Sequence, residues 1–325
     1  MYNIKHYDYK MNYKDTINPN KIVDIGWFRS QSNGGLWNMN LQLNLSIIND
    51  DFEVGDIIYI YYKGKHIYGG NILDITKLYW PKIETLSLEI VGFASLLSQY
   101  IINETYNATA SNIIKDIIDK ANIEYWYNIF SYDGNTIPDS TENINIEFKN
   151  EHYLRSLRNL SEVSGLEFFV NESWVVYFRE TEDQHTLTLR KDVDSLEIKE
   201  EWRNITNSLI VDYEWWIETY EEVSSINLYR KRQKYKSKID IKDLSTANEF
   251  GNNFLEENAF KKDKITLIVN DRFDYFNIKP TDDIRVRNSP FIIDSLKVKG
   301  VRFWYETATI ELGRRYSFSE EILNN

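Results

Sequence analysis

The sequence contains no cysteine, which excludes disulfide frameworks, Cys-ligated zinc, iron–sulfur clusters and thiol nucleophiles and leaves the redox compartment open. Glycine and proline are scarce, at 13 and 5 of 325 residues, so the chain is neither collagen-like nor a Gly/Pro-rich disordered segment. No apolar run approaches the roughly 18 residues of a membrane span. The polar start MYNIKHYDYKMNYKD lacks the apolar stretch of a signal peptide. We therefore expect no membrane span and no export of the chain by itself.

Motifs that carry catalysis or bind cofactors are missing as well. The sequence has no G-x-S-x-G elbow, no phosphate-binding P-loop and no G-x-G-x-x-G fingerprint. No two of its 4 histidines have the i, i+4 spacing of a helical metal pair. Its 50 carboxylates make close acidic pairs unavoidable, so spacing alone selects no catalytic pair. We predict a protein that is not an enzyme and that uses no cofactor or metal.

The composition is that of a folded, β-rich and acidic chain. With 23 Tyr and 16 Phe the β-propensity is high, and the net charge is −12. Residues 101–200 carry 19 Asp and Glu against 9 Lys and Arg, which is 10 of the 12 excess negative charges. Since phosphate binding depends on clustered Lys and Arg, this balance argues against a reader of nucleic-acid sequence.

Hydrophobic periodicity divides the chain into strand and helix regions. Apolar residues alternate between Ile22 and Gly92, which predicts half-buried antiparallel strands. The period becomes helical in three segments, namely Ala108–Asn122, Glu151–Ser164 with Gly165 as its C-cap, and Thr246 to about Asn258. Strands are predicted again at Leu166–Val170 and Trp174–Phe178 as a hairpin, at Ser208–Tyr213, at Val223–Tyr229, and from Lys264 to Arg315.

An internal repeat is the most informative feature. The first copy reads VGDIIYIYYKGKHIYGGNILDI and closes with TLSLEIVG; the second reads PTDDIRVRNSPFIIDSLKV and closes with TATIELG. The alignment pairs Asp56 with Asp283, Ile57 with Ile284, Trp80 with Trp304, Thr85 with Thr307, Leu88 with Ile310, and Glu89 with Glu311. We interpret the fold as mainly β, with two related β-barrel domains at residues 1–98 and 201–325 that flank an acidic α+β middle domain at 99–200. The alternative is that any two β-meanders rich in Ile and Thr align this well.

One strong charge run stands out in the third region. It comprises Arg230, Lys231, Arg232, Lys234, Lys236 and Lys238. It is interpreted as an assembly contact with an acidic partner, with contact to passing DNA and a solvated hairpin as the alternatives. Because four glutamates at 214–222 precede it, part of the charge is expected to be neutralised within the same hairpin.

The layout resembles the hub proteins of phage tail baseplates, and more narrowly those of contractile tails and defective prophages of low-GC Gram-positive bacteria. The resemblance rests on the Gly-Asp turn unit, the segment TASNII and the closing unit P-x-D-x-I-x-V with TATIELG. It implies a homotrimer whose two barrels per chain form a pseudo-sixfold ring. The implied barrel-turn positions are Gly55, Asp56, Gly92, Asp283 and Gly313.

The same resemblance implies partners and a location. The ring would join a sixfold tail tube or distal tail protein to a trimeric spike or tail-tip protein, and DNA would pass through it without sequence-specific binding. The chain would act in the virion tail after assembly in the bacterial host cytoplasm. Two alternatives stay open. One is a tail-tip cell-wall hydrolase, against which stands our expectation that no lytic domain follows Asn325. The other is a host-glycan-binding tail protein that exposes clustered tryptophans. The candidates to stack on sugars are Trp126, Trp174, Trp202, Trp215 and Trp216, for which packing in a core or interface is the alternative.

Overall fold

The computed structural model describes residues 2–30, 37–44, 51–80, 83–125, 129–179, 184–201, 205–238, 240–260, 262–279, 282–289, 293–304 and 307–313. The strands are β1 (Tyr2–Tyr7), β2 (Tyr13–Ile17), β3 (Ile22–Ser30), β4 (Met39–Asn44), β5 (Ile57–Tyr62), β6 (Lys65–Trp80), β7 (Ile83–Gly92), β8 (Ile101–Thr109), β9 (Asn143–His152), β10 (Glu167–Val170), β11 (Val176–Arg179), β12 (Gln184–Thr188), β13 (Val193–Glu201), β14 (Ser208–Tyr213), β15 (Trp216–Glu221), β16 (Gln233–Ser237), β17 (Lys262–Asn270), β18 (Asp283–Arg287), β19 (Ile293–Phe303) and β20 (Thr307–Gly313). The helices are α1 (Ala110–Glu124), α2 (Tyr153–Ser164), α3 (Val223–Tyr229) and α4 (Leu244–Asn258).

Thirteen of the described strands form one large sheet. Its main order is β13-β17-β20-β19-β3-β4-β7-β6-β5-β1-β2, and β18 pairs with both β12 and β19. Alternate residues of each strand point into one core, as Leu41, Leu43, Leu86 and Leu88 do. The predicted alternating runs of the first region are therefore confirmed as strands, and the mainly β class is confirmed.

A second core lies in a helix-containing part that we call the middle body. Helices α1, α2 and α4 pack there with the pair β8–β9, the hairpin β10–β11 and the three-stranded sheet β15-β14-β16. The three predicted helices are confirmed, and α2 ends at Gly165 with a φ of 68°, as a C-cap glycine should. Asp243 caps α4, since its side chain accepts from the Thr246 N–H at 2.8 Å. No helix in the described part of the chain is long and apolar enough to cross a membrane.

One predicted strand is wrong. Val223–Tyr229 forms the helix α3, because the Glu222 side chain caps it by accepting from the Ser224 N–H at 3.2 Å. Ser225 is buried and donates its hydroxyl proton to the Ala259 carbonyl after α4. Tertiary contact and a cap thus decide the conformation of a segment whose composition is compatible with a strand.

The boundary predicted between residues 200 and 201 is displaced. Residues 184–201 form β12 and β13, and β13 pairs with β17 inside the large sheet along most of its length. Residues 208–258 instead pack on the core of the middle body through Leu209, Val211 and Phe250. The chain therefore enters the second strand unit, leaves it for the middle body and returns. Sequence order could not show this, because membership of a sheet depends on strands that lie far away in the chain.

The large sheet and the middle body meet at a tightly packed aromatic contact. The Trp174 indole N–H donates to the Tyr59 hydroxyl at 2.8 Å, and its ring stacks on Phe93 with centroids 3.5 Å apart. A Cβ placed on Gly69 would lie 2.6 Å from the carbonyl oxygen of Glu172 and 2.7 Å from the Phe93 ring. The strand therefore needs glycine here, so that the loop of the middle body can approach its backbone.

We expect Gly69→Ala to lower the free energy of unfolding by about 1–3 kcal/mol, because the new methyl group overlaps a backbone carbonyl that has no room to move. The matched control is Gly134→Ala, where nothing lies within 4 Å of the added Cβ. Chemical denaturation of both variants measures the difference. Equal stability of the two would contradict the packing described.

Candidate assembly surfaces

Two units of four strands repeat with the same order inside the large sheet. In the first unit β4 pairs with β7, β7 with β6, and β6 with β5. In the second unit β17 pairs with β20, β20 with β19, and β19 with β18. The repeat seen in the sequence thus corresponds to two strand units of equal topology. They lie side by side because β3 pairs with β19.

The two units also share their β-bulges. In the first unit the register shifts between Ile72 and Asp74, and in the second it shifts between Val298 and Gly300. Ile72 lies opposite Ile90 and Val298 opposite Leu312, so the extra residues Leu73 and Lys299 are equivalent. A second pair of bulges, at Val23 in β3 and Asp194 in β13, also corresponds. These bulges fix the alignment of the units residue by residue.

Each unit begins with a buried aspartate in a turn. Oδ2 of Asp56 accepts from the Glu53 N–H at 2.9 Å, and its carbonyl oxygen accepts from the Ile72 N–H at 2.8 Å. Oδ2 of Asp282 accepts from the Lys279 N–H at 2.8 Å, and its carbonyl oxygen accepts from the Val298 N–H at 2.8 Å. The two turns therefore hold their carboxylates in the same way.

A histidine from a neighbouring strand completes each turn. His6 Nε2 lies 2.7 Å from Oδ2 of Asp56, and His185 Nε2 lies 2.8 Å from Oδ2 of Asp282. The Lys14 ammonium group also donates to Asp56, at 3.0 Å. Sequence reasoning treated the histidines only as candidate metal ligands and missed this role. Among the described residues, no group of three or more His, Asp or Glu side chains is placed to hold a metal ion.

The alignment of Asp56 with Asp283 is wrong by one residue. Asp282 is the counterpart of Asp56, whereas Asp283 starts β18, with its carboxylate 3.4 Å from the Lys297 ammonium group. The cross-strand partners show the same slip, since Ile58 lies opposite Gly70 and Ile284 lies opposite Leu296. The sequence offered two adjacent aspartates, and only the turn geometry selects between them.

The other predicted turn positions are found at strand ends. Gly55 has a φ of 95°, a conformation that requires glycine, and its N–H donates to the Ile72 carbonyl at 2.8 Å. Gly92 lies opposite Gly70 at the end of β7, and Gly313 lies opposite Lys297 at the end of β20. Of these positions, Gly55 alone has the left-handed backbone in the described residues.

Trp80 and Trp304 are not equivalent. The Trp304 N–H donates to the Thr307 carbonyl at 2.9 Å, and the corresponding pair in the first unit is Leu78 with Thr85. Trp80 lies two residues further along, opposite Ile83. The first hairpin is therefore longer by two residues in each strand, which the similar spacing of the two tryptophans concealed.

Part of the basic run forms strand β16, in which alternate side chains point to opposite faces. Lys234 and Lys236 each lie over the Phe254 ring at 5.8 Å, and Lys238 lies over the Phe250 ring at 5.0 Å. These lysines therefore face helix α4 of the same chain. The Lys231 ammonium group lies 2.5 Å from the Glu221 carboxylate, which lowers the pKa of Glu221. Arg230 is exposed at the end of α3, and Arg232 donates its backbone N–H to Asn207 at 2.7 Å.

Lys238 forms a nearly buried ion pair with Glu162 of α2, at 2.5 Å. Burial lowers the pKa of Lys238, but the charges of Glu162 and Asp240 outweigh it, so the pKa is raised overall. This ion pair ties strand β16 to helix α2. The predicted neutralisation of the run by the glutamates at 214–222 is thus seen at Lys231, whereas Lys238 pairs with a glutamate of helix α2.

The structure also exposes two adjacent tryptophans. Trp215 and Trp216, at the turn between β14 and β15, are 86% and 65% exposed. Ile217 follows them and is exposed as well. The remaining tryptophans proposed as sugar-stacking residues differ: Trp174 is buried, and Trp126 and Trp202 lie outside the described residues.

Solved structures place this arrangement among known folds. A 43 kDa tail protein of prophage MuSo2 from Shewanella oneidensis has a TM-score of 0.72 at 12% identity, covering 97% of this chain and 98% of that one. The chain has the fold of phage tail proteins. A tail protein from Neisseria meningitidis MC58 has a TM-score of 0.68 at 12% identity and covers 96% of each chain. The prophage tail protein gp18 from Listeria monocytogenes EGD-e has a TM-score of 0.66 at 11% identity, with 99% and 96% covered. No family model and no curated protein sequence matches the chain.

We expect Asp282→Asn to lower the free energy of unfolding by roughly 1–3 kcal/mol, because a buried carboxylate that binds a backbone N–H and His185 is lost. Asp283→Asn is the matched control and should leave stability close to that of the wild type. Thermal or urea denaturation distinguishes them. The reverse order would restore the original alignment of the two units.

We expect Lys238→Met to lower the free energy of unfolding by about 3–5 kcal/mol, because it leaves Glu162 nearly buried without its cation. The control is Lys231→Met, which removes an exposed cation of the same run and should change stability little. Urea titrations of the purified variants measure both effects. A stable Lys238→Met protein with impaired assembly would instead show that Lys238 acts between chains.

Proposed function

We propose that the chain is a structural protein of a phage or prophage tail and acts as a trimeric hub of the baseplate. The observation that supports this most directly is the pair of strand units of equal topology in one sheet. Three chains carrying two such units each present six similar units to a partner of sixfold symmetry. The same three chains present threefold symmetry to a spike. A protein with a single unit would need a further adaptor.

The partners follow from the two symmetries. One face of the ring binds a sixfold tail tube or distal tail protein, and the other binds a trimeric spike or tail-tip protein. Among proteins with a similar fold, a type VI secretion component from E. coli, with a TM-score of 0.57 at 14% identity, is described as structurally similar to the bacteriophage T4 tail proteins gp27 and gp5. That description supports the assignment to a hub. The narrower assignment to the hubs of low-GC Gram-positive bacteria rests on the sequence motifs alone.

The proposed ring leaves a channel for DNA. The net charge of −12 supports a conduit that does not hold phosphate, since a basic lumen would slow its cargo. The chain is placed in the virion tail after assembly in the host cytoplasm. Its role there is structural, and the exposed members of the basic run, Arg230 and Lys231, contribute to register and association rate through charge rather than to chemistry.

The exposed Trp215 and Trp216 support one second candidate, a glycan-binding tail protein. Two exposed indoles at one turn form a surface on which sugar rings could stack. A glycan array with the wild type and with Trp215→Ala separates the functions. Binding that the substitution abolishes would favour the glycan reader, whereas no binding leaves these residues to protein contacts.

Electron microscopy of the assembled particle tests the hub proposal. We expect three copies of the chain in a ring between a sixfold tube and a threefold spike. The control is light scattering of the isolated chain, which reports whether the trimer forms without its partners. Six or two copies in the particle would refute the adaptor role, whatever the state of the isolated chain.

A further inference from the structure

The two strand units of one chain are joined by one pair of strands. The two strands equivalent to that pair do not contact each other in the described part of the chain. Inside the chain, Trp27–Ser30 of β3 pairs with Gly300–Phe303 of β19. By the shared register, β13 corresponds to β3, and β6 corresponds to β19. No described strand pairs with β13 on the side away from β17, or with β6 after Asn71 on the side away from β7. Each chain therefore has one strand of either kind available.

Burial changes at the equivalent positions as this correspondence requires. Val301 of β19 is fully buried beneath the junction, whereas its counterpart Ile75 in β6 is only half-buried. On the other strand, Trp27 is buried in β3, whereas its counterpart Ile198 in β13 is half-buried. Apolar side chains that the junction covers inside the chain are thus partly uncovered where the junction is absent.

The open edge of β6 also carries exposed apolar side chains. The bulged residue Leu73 is 55% exposed, whereas its equivalent Lys299 is only 5% exposed. Tyr79, further along the same strand, is 67% exposed. Asp74 and Lys77 also lie on this edge, but exposed leucine and tyrosine beside unpaired backbone are typical of a place where another strand adds.

We propose that β13 of one chain pairs antiparallel with the open part of β6 in the next copy, in the register of the β3·β19 junction. This inference rests on the proposed trimer and specifies its interface. The register places Ile198 of one copy opposite Lys77 of the next, and Lys199 opposite Thr76. The same register sets Asp74 opposite Glu201, an unfavourable pair of like charge, and Lys199 diagonally next to Asp74, a pair of opposite charge. The contact joins two different strands and is therefore heterologous, so three copies can close into a ring. The six strand units of that ring are then joined alternately by internal and by intermolecular junctions.

The absence of cysteine makes a disulfide test direct. Thr76 and Lys199 are both exposed in the single chain, so Thr76→Cys with Lys199→Cys leaves the core intact. Six strands lie between β13 and β6 in the sheet of one chain, and a bond within a chain would keep the monomer mass on a gel. The variant is oxidised in whichever state the wild type is trimeric, as the isolated chain or in the assembled tail. After mild oxidation we expect covalent dimers and trimers on a non-reducing gel.

Two control variants make the result specific. Lys77→Cys with Lys199→Cys shifts one cysteine by a single residue to the opposite face of the strand, so it should cross-link at least tenfold less. Gln42→Cys with Ser87→Cys joins neighbours in β4 and β7 of one chain and verifies the oxidation without oligomers. A trimeric protein in which the Thr76 and Lys199 cysteines stay reduced, or in which the shifted pair links equally well, overturns this junction while the hub proposal stands. If the wild type is trimeric neither in isolation nor in the assembled tail, both fail together.

Discussion

The pairing of β3 with β19 is the interaction on which the rest of the structure depends. Four backbone positions of each strand join two units that are separated by most of the chain. The Trp27 ring stacks on Phe303 with centroids 4.8 Å apart, and both rings stack on Phe276. One core therefore runs beneath both units, and their relative orientation is fixed by a sheet rather than by a linker. A subunit of the proposed ring, which presents two strand units in fixed positions, needs this rigidity.

The aspartate turns show that the equivalence of the units is stronger in their turns than in their flanking strands. β1 runs antiparallel to β5, whereas β12 runs parallel to β18. Each of these oppositely directed strands nevertheless brings a histidine to the buried aspartate. Since an unpaired buried carboxylate is costly, a polar partner is required at this position whatever the direction of the strand that supplies it.

The middle body explains the distribution of charge along the chain. The acidic excess lies in residues 101–200, and the basic run follows after the chain has returned to the same body. Lys238 with Glu162, and Lys242 with Glu147, are ion pairs that join the two stretches. In the sequence the run of cations resembles a docking surface, but some of its residues stabilise the fold of their own chain. The proposed assembly contact is thereby reduced to the exposed Arg230 and Lys231.

The sequence by itself determined the class of the fold, the three amphipathic helices and the existence of a repeat. These features depend on local periodicity, which is written in neighbouring residues such as Leu86, Leu88 and Ile90. It did not determine which of Asp282 and Asp283 fills the turn, that Val223–Tyr229 is helical, or that β13 belongs to the large sheet. Only the tertiary structure decided these, because strand register, capping and sheet membership depend on partners that lie far away in the chain. The open edges of β6 and β13 belong to the same class, since an edge is defined only by the strands that are already paired.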